Sequence, residues 1–417
     1  MKRKHSIGAF VVLLGALFYC YEYFLRITPS VMQPELMRSF KIDATLFGAL
    51  SSFYYFAYTP MQLIVGILVD RFNSKNILTL AIISCASGSL LFCATHSYYI
   101  AAFGRFLQGF GSAFAFVGSL KLASRWLPAK WFPFFSGICV TLGLLGAASG
   151  DIILTHLVQT IGWRMVIIIF GAIGMALAAA FYFSNTWAER KYDNEKVTRT
   201  SQSFKEVLKQ FVILIKNPYL WAAGIIGALL FLPTIVFADL WGLPYIRKLH
   251  GYNLSQAGFV IAMFYIGEAI GSPLMGLLSK IMGRRLRIIW IGSLLSAICA
   301  VIALYMPSLS YSLVCVLFFA IGMLSSVGIL TFVMGNDVAT SQNNGMAIAF
   351  INFLVMLSGV FMQRLVGWLI DLHWSGQFLN GIKVYSLQDY QGAIAVIPMS
   401  FALASLVAVF VKERAFK

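Results

Sequence analysis

Seven charged side chains fall inside long apolar runs of this 417-residue chain: Glu22, Arg26, Arg105, Asp151, Asp239, Glu268 and Arg364. A charge in hydrocarbon costs roughly 2.5–3.5 kcal/mol even on insertion scales, so each needs a physical reason. Glu22 and Arg26 are four residues apart, which puts them on one helix face. An arginine there offers a planar, permanently charged fork suited to a carboxylate or a phosphate. A glutamate beside it is either a proton-exchanging group, tuned by burial against its cationic neighbour, or a structural partner of Arg26 or Arg105. Counting helical rise from the expected span ends sets Glu22 and Arg105 at similar depth. Glu268 falls near the midplane with no basic residue on its own helix, a second proton-site candidate. Asp151, Asp239 and Arg364 are expected nearer the outer ends, in structural or vestibule roles. Tyr19 and Tyr23 flank Glu22, and Tyr54 and Tyr58 share a face of the next span. Their hydroxyls are suited to orienting a polar ligand.

The elements that carry these residues follow from composition. The chain is 60% hydrophobic and 11% charged, with a mean hydropathy of +0.83. Soluble domains carry roughly 25% charged residues, so the solvent around this chain is itself apolar. Apolar segments lie at 7–30, 45–70, 76–95, 98–126, 131–156 and 162–185, then at 218–245, 255–280, 287–306, 308–335, 344–371 and 390–411. Each is long enough to cross about 30 Å of hydrocarbon as a helix. The first is expected to be a span and not a cleaved leader. The expected fold is an all-α membrane protein with twelve transmembrane helices in two pseudo-symmetric six-helix bundles. Residues 1–185 form the first bundle, 186–217 a cytoplasmic linker and 218–417 the second. Within the linker, Ser203 to Lys216 reads as a surface amphipathic stretch or a plain tether.

Basic residues set the orientation. With the N-terminus in the cytoplasm, 21 of the 31 Lys and Arg lie on that side. The opposite side holds only Arg38, Lys41, Arg164, Arg247, Lys248 and Lys383. The positive-inside rule then places both termini in the cytoplasm. The net charge of +16 orients the protein and meets anionic lipid heads, so no nucleic-acid partner is needed to explain it. The six cysteines lie in apolar runs without metal-ligand or CxxC spacing, and no histidine falls mid-membrane. There is no HExxH, no GxxxxGK[ST] and no GxGxxG after a strand, so neither a metal, a cofactor nor an enzyme is expected.

The halves repeat. GILVDRFNSK at 66–75 and GLLSKIMGRR at 276–285 each end a span with a glycine and a basic turn. Gly66, Asp70, Arg71 and Lys75 resemble the loop motif G-x-x-x-D-R-x-G-R-K of the major facilitator superfamily, with Asn73 and Ser74 departing from it. Arg105, Gln108 and Gly109 are similar to that family's fourth-span motif, and GLLGAASG at 143–150 to its fifth-span glycine motif, without the proline. YEYFLRITPSVM resembles the first span of bacterial organic-anion and sugar-phosphate-type permeases, and more faintly that of lysosomal dipeptide carriers. The resemblance implies a secondary transporter, monomeric, in a bacterial inner membrane, moving a small organic anion or zwitterion with protons by alternating access. Amino-acid or dipeptide carriage and a transporter-like sensor with little flux are the alternatives. It implies that spans one, four, seven and ten line the cavity. Arg26, Tyr19, Tyr23, Tyr54, Tyr58, Trp241 and Tyr265 would then contact substrate, with Glu22, Arg105 and Glu268 coupling protons. Gly66, Asp70, Arg71 and Lys75 would form a cytoplasmic gate, Asp70 facing Asn343 and Asn344 at the start of span eleven, where the helix dipole favours an anion.

Overall fold

The computed structural model describes residues 2–128, 132–192, 212–339, 343–379 and 382–411. Eleven of the described helices are long and apolar enough to cross a membrane. The remaining expected span, 45–70, is interrupted: helix Ala44–Met61 and helix Val65–Arg71 are separated by a turn. Just after Pro60 the amides of Gln62, Leu63 and Ile64 bond three residues back, to Thr59, Pro60 and Met61, so the chain tightens into a turn before the next helix. A two-strand hairpin, Phe378–Leu379 against Ile382–Lys383, adds antiparallel pairing that an all-helical reading does not contain. The linker beyond Tyr192, including Ser203, falls outside the described residues.

Two prolines shape the helix pair beginning at Pro218. Between Pro233 and Pro244 the backbone winds as a π segment, Pro233–Trp241, before resuming as helix Gly242–His250. Each proline withholds a donor from the preceding turn, which favours a widened register; such π segments recur at functional sites.

Glycines set how closely helices approach. Gly143, Gly146 and Gly150 of helix Phe132–Ile161 face the first helix, and a Cβ on Gly143 would lie 2.6 Å from the rings of Tyr19 and Tyr23. The motif at 143–150 is therefore the floor on which those tyrosines rest. The longest seam between the chain's two halves runs along Ala44–Met61 and Asn344–Leu372. It keeps one antiparallel register, from Thr45 with Asp371 to Gln62 with Asn352. Small residues permit this contact: a Cβ on Gly48 would fall 2.3 Å from the Gln363 carbonyl oxygen, and one on Gly367 2.2 Å from that of Ala44.

At the end expected to face outward, the seam is polar. Asp371 accepts from the Thr45 amide at 2.7 Å, from Tyr385 Oη at 2.5 Å and from Lys383 Nζ at 2.9 Å. Tyr385 Oη accepts from the Ala44 amide and Tyr390 Oη from Gln33 Nε2, both at 3.0 Å. This hydrogen-bonded end of the seam is the one expected to face outward. Replacing Gly48 with Val is expected to cost about 1–3 kcal/mol through overpacking. A thermal melt of the purified variant should show a clearly lowered transition, and an unchanged one would mean the seam is looser than drawn.

Candidate functional site

Two clusters meet at the centre of the bundle. In the first, Glu22 is fully buried and ion-paired with Arg26 one turn along the same helix. Tyr54 Oη donates to Glu22 Oε1 at 2.6 Å. The Arg26 guanidinium lies over the ring of Tyr23 at 4.5 Å and within 5.7 Å of those of Tyr54 and Tyr58. Tyr54 and Tyr58 stack at 5.7 Å, as residues four apart on one face must. Tyr19 and Tyr23 exchange a hydrogen bond at 3.4 Å between their hydroxyls.

The Arg105 guanidinium lies 5.0 Å from the centre of the Tyr54 ring. Its Nη1 donates to the Leu25 carbonyl and to Gln108 Oε1, each at 2.8 Å, and Gln108 donates on to Ser89 at 3.0 Å. The motif residues Arg105 and Gln108 thus hold the first helix through its backbone just beside Arg26.

The second cluster is one that sequence reasoning misplaced. Asp239, expected near the outer end, is buried in the π segment. It accepts from Tyr55 Oη and from Tyr265 Oη, each at 2.5 Å. Tyr55 precedes the stacked pair, and its ring fits because Gly359 has no side chain: a Cβ there would lie 2.5 Å away. Glu268 is buried on the Tyr265 helix, with Oε2 unpartnered among the described residues. Asp151, also expected near an outer end, is fully buried with both carboxylate oxygens unpartnered, and its backbone packs against Gly258. Arg26 Nε and Arg105 Nε and Nη2 are likewise buried and unbonded. The core therefore holds four carboxylates against two guanidiniums, with hydrogen-bonding capacity left over on both signs.

Other expected residues sit elsewhere. Trp241 is fully buried, but its Nε1 donates to the Gln363 carbonyl at 3.1 Å and its ring packs edge-on to Phe47 and Tyr390. It is a packing residue of the seam in this arrangement. Arg364 is exposed on the flank of the bundle. Of the expected gate, Arg71 is exposed, and the Asp70 side chain lies outside the described residues. Lys75 pairs with Glu189 at 3.1 Å, as Arg125 does. That contact ties three helices of the first half together. In the repeat, Arg285 is ion-paired with Asp337, again within its own half.

These features belong to a known class. The chain matches the Major Facilitator Superfamily over residues 12–362 and 240–415, and it belongs to that family of membrane transporters. It is a multi-pass membrane protein of the bacterial inner-membrane type and not an enzyme. Among curated proteins it is 22% identical over 295 residues to the probable sulfoacetate transporter SauU of Cupriavidus necator, covering 67% of this chain and 66% of that one. It is 23% identical to the membrane sensor protein UhpC of Escherichia coli, over 95% of this chain and 92% of the relative. It is also 23% identical to the probable galactarate/D-glucarate transporter GudP of Bacillus subtilis, over 92% and 89%. The fold superposes with a TM-score of 0.75 on a bacterial homologue of the human lysosomal transporter Spinster in an inward-facing, unoccupied conformation, at 16% identity and covering 97% and 95% of the two chains.

Removing one member of the buried pair should be worse than removing both. Glu22→Ala leaves Arg26 charged and unpaired inside the bundle, a loss of about 3–5 kcal/mol. In the double variant with Arg26→Ala the uncompensated charge is gone, so stability should partly return. Melting the two singles and the double measures this; a purely additive double would mean the pair does not couple.

Proposed function

We propose that the chain is a secondary transporter that takes up a small organic anion together with protons, by alternating access. Twelve spans in two bundles, residues 1–185 and 218–417, rock about the central cluster with both termini in the cytoplasm. The protein works as a monomer.

One observation carries the reading: a permanent cation, Arg26, is buried at the bundle centre on a floor of tyrosine rings, with Nε unpartnered. A carboxylate or sulfonate meeting that fork would replace water with charge-assisted hydrogen bonds. Tyr19, Tyr23, Tyr54, Tyr58 and Tyr265 bring hydroxyls that orient the rest of the solute. The excess of carboxylates supports the proton. Glu22, Asp239, Glu268 and Asp151 outnumber the two buried arginines, and this surplus of carboxylates supports a proton or another cation accompanying turnover. Two relatives are named as probable transporters of sulfoacetate and of galactarate or D-glucarate, which supports the anion. The positional likeness to a sensor protein over nearly the full length favours a second reading, in which the ligand binds with little flux. An amino-acid or dipeptide substrate is also compatible with a paired Glu–Arg site, since a zwitterion presents both charges.

Uptake of radiolabelled sulfoacetate and D-glucarate into proteoliposomes separates these. With an acid exterior and alkaline lumen, wild type should accumulate at least one of them, and collapsing the gradient should slow entry. Arg26→Ala should reduce entry by about tenfold or more, the worth of one lost charge-assisted contact. Asp239→Asn should weaken the dependence on the pH gradient while leaving anion binding in a thermal-shift assay. Anion transport by Arg26→Ala at the wild-type rate would sink the reading. Ligand-induced stabilisation without flux would favour the sensor.

A further inference from the structure

Six basic residues are expected on the outer side of this chain, against 21 on the other. Four of the six, Arg38, Arg247, Lys248 and Lys383, line a single cleft of about 450 Å³ at the outer end of the bundle. They come from three separate elements. Arg38 sits on the short helix Gln33–Phe40, Arg247 and Lys248 on the last turn of helix Gly242–His250, and Lys383 on the hairpin. Among the described residues, no aspartate or glutamate lines the cleft. Among the described residues no ion pair joins Arg38, Arg247 or Lys248, and Arg247 Nε is buried without a partner. Lys383 alone is paired, with Asp371 at 2.9 Å and Asp43 at 3.5 Å. A helix C-terminus favours Arg247 and Lys248 where they are. It does not account for Arg38 and Lys383 converging on the same space from the other half of the chain and from the hairpin.

Like charges facing one cleft repel unless something negative sits between them. Tyr385 and Tyr390, the two tyrosines that bond Ala44 and Gln33 across the outer seam, also line the cleft. Its volume suits a small organic anion and is too small for a folded partner.

We infer that this cleft is a second anion site, an outer vestibule that holds a small carboxylate- or sulfonate-bearing solute above the closed seam. Its ligand class rests on the anionic-substrate reading given above. Arg38 and Arg247 supply the forks, Lys248 a point charge, and Lys383 stands where the vestibule meets the seam. The site concentrates the anion at the sealed end and presents it to the residues that hold that end shut.

Lysine accessibility tests this without requiring transport. The purified, full-length protein is subjected to reductive methylation, and the rates at Lys248 and Lys41 are read by peptide mass spectrometry at constant ionic strength. D-glucarate or sulfoacetate near saturation should slow modification of Lys248 about threefold or more, because only the free fraction reacts. Lys41, on the same face but outside the cleft, should not change, and the neutral polyol D-glucitol should protect neither. The protection should vanish in Arg38→Ala/Arg247→Ala and persist in Arg26→Ala. Absent protection, equal protection by D-glucitol, or protection that survives the double replacement overturns the vestibule. Loss of protection in Arg26→Ala overturns it too, since the anion would then be bound centrally. If wild type transports neither anion while Lys248 is still protected, the central-site reading fails and the vestibule stands.

Discussion

An arginine side chain cannot be discharged at any physiological pH, and Arg26 is buried inside the bundle. Something must answer that charge in every conformation the carrier visits. In this one, Glu22 answers it as an ion pair, Tyr54 braces the glutamate, and three tyrosine rings cover the guanidinium. Each of those partners makes a demand on the fold. The tyrosines of the first helix need the bare surface of Gly143, and the backbone of Tyr54 needs that of Gly109. The first helix must be held in register, which Arg105 does through the Leu25 carbonyl. Several of the chain's glycines and its second buried arginine become intelligible as consequences of keeping one cation inside the bundle.

The same constraint explains why the halves are not simply glued together. A buried ion pair contributes little net stability, because desolvation offsets most of its attraction. It does fix geometry, and it can be traded for another anion at small net cost. The seam that closes the outer end is built on a different principle, with backbones in close approach at Gly48 and Gly367 and a ring of hydrogen bonds around Asp371. Tyr385, Tyr390 and Gln33 are buried in that seam, while the contacts of Asp371 with Thr45 and Lys383 are only partly buried. The centre is held by a charge pair and the end by close backbones and hydrogen bonds, two kinds of contact that can be broken separately.

Much of this was legible in the residues, and the errors share a cause. Glu22 and Arg26 declared themselves by spacing, and Arg105 and Gln108 by their motif. Tyr54 and Tyr58 were readable because residues four apart share a helix face. Asp239 and Asp151 were placed too close to the outside because helix ends were set where hydrophobicity fell. Helix Gly242–His250 continues past Pro244 to His250, and helix Phe132–Ile161 runs five residues beyond the apolar stretch. At 1.5 Å per residue those extensions bury each aspartate by about 7 Å more than hydropathy implies. The π segment added a rotation that no periodicity analysis contains, turning Asp239 toward Tyr55. The break after Pro60 was missed because its flanks are as apolar as any span.

The π segment is also the point at which the two clusters become one device. A π turn carries an extra residue and a looser ladder, so it can convert to α-helix by shifting one hydrogen-bond register along the chain. That conversion would rotate the residues on one side of it relative to the other by roughly a hundred degrees. Asp239 lies within the segment, and its partners Tyr55 and Tyr265 lie on two different helices, one from each half. Neutralising Asp239 weakens both of those hydrogen bonds at once, since a carboxylate is the stronger acceptor. The element best able to change its winding is therefore pinned by the group whose charge a proton would remove. Protonation at that position would act first on a tether between the halves and only secondarily on the Arg26 site.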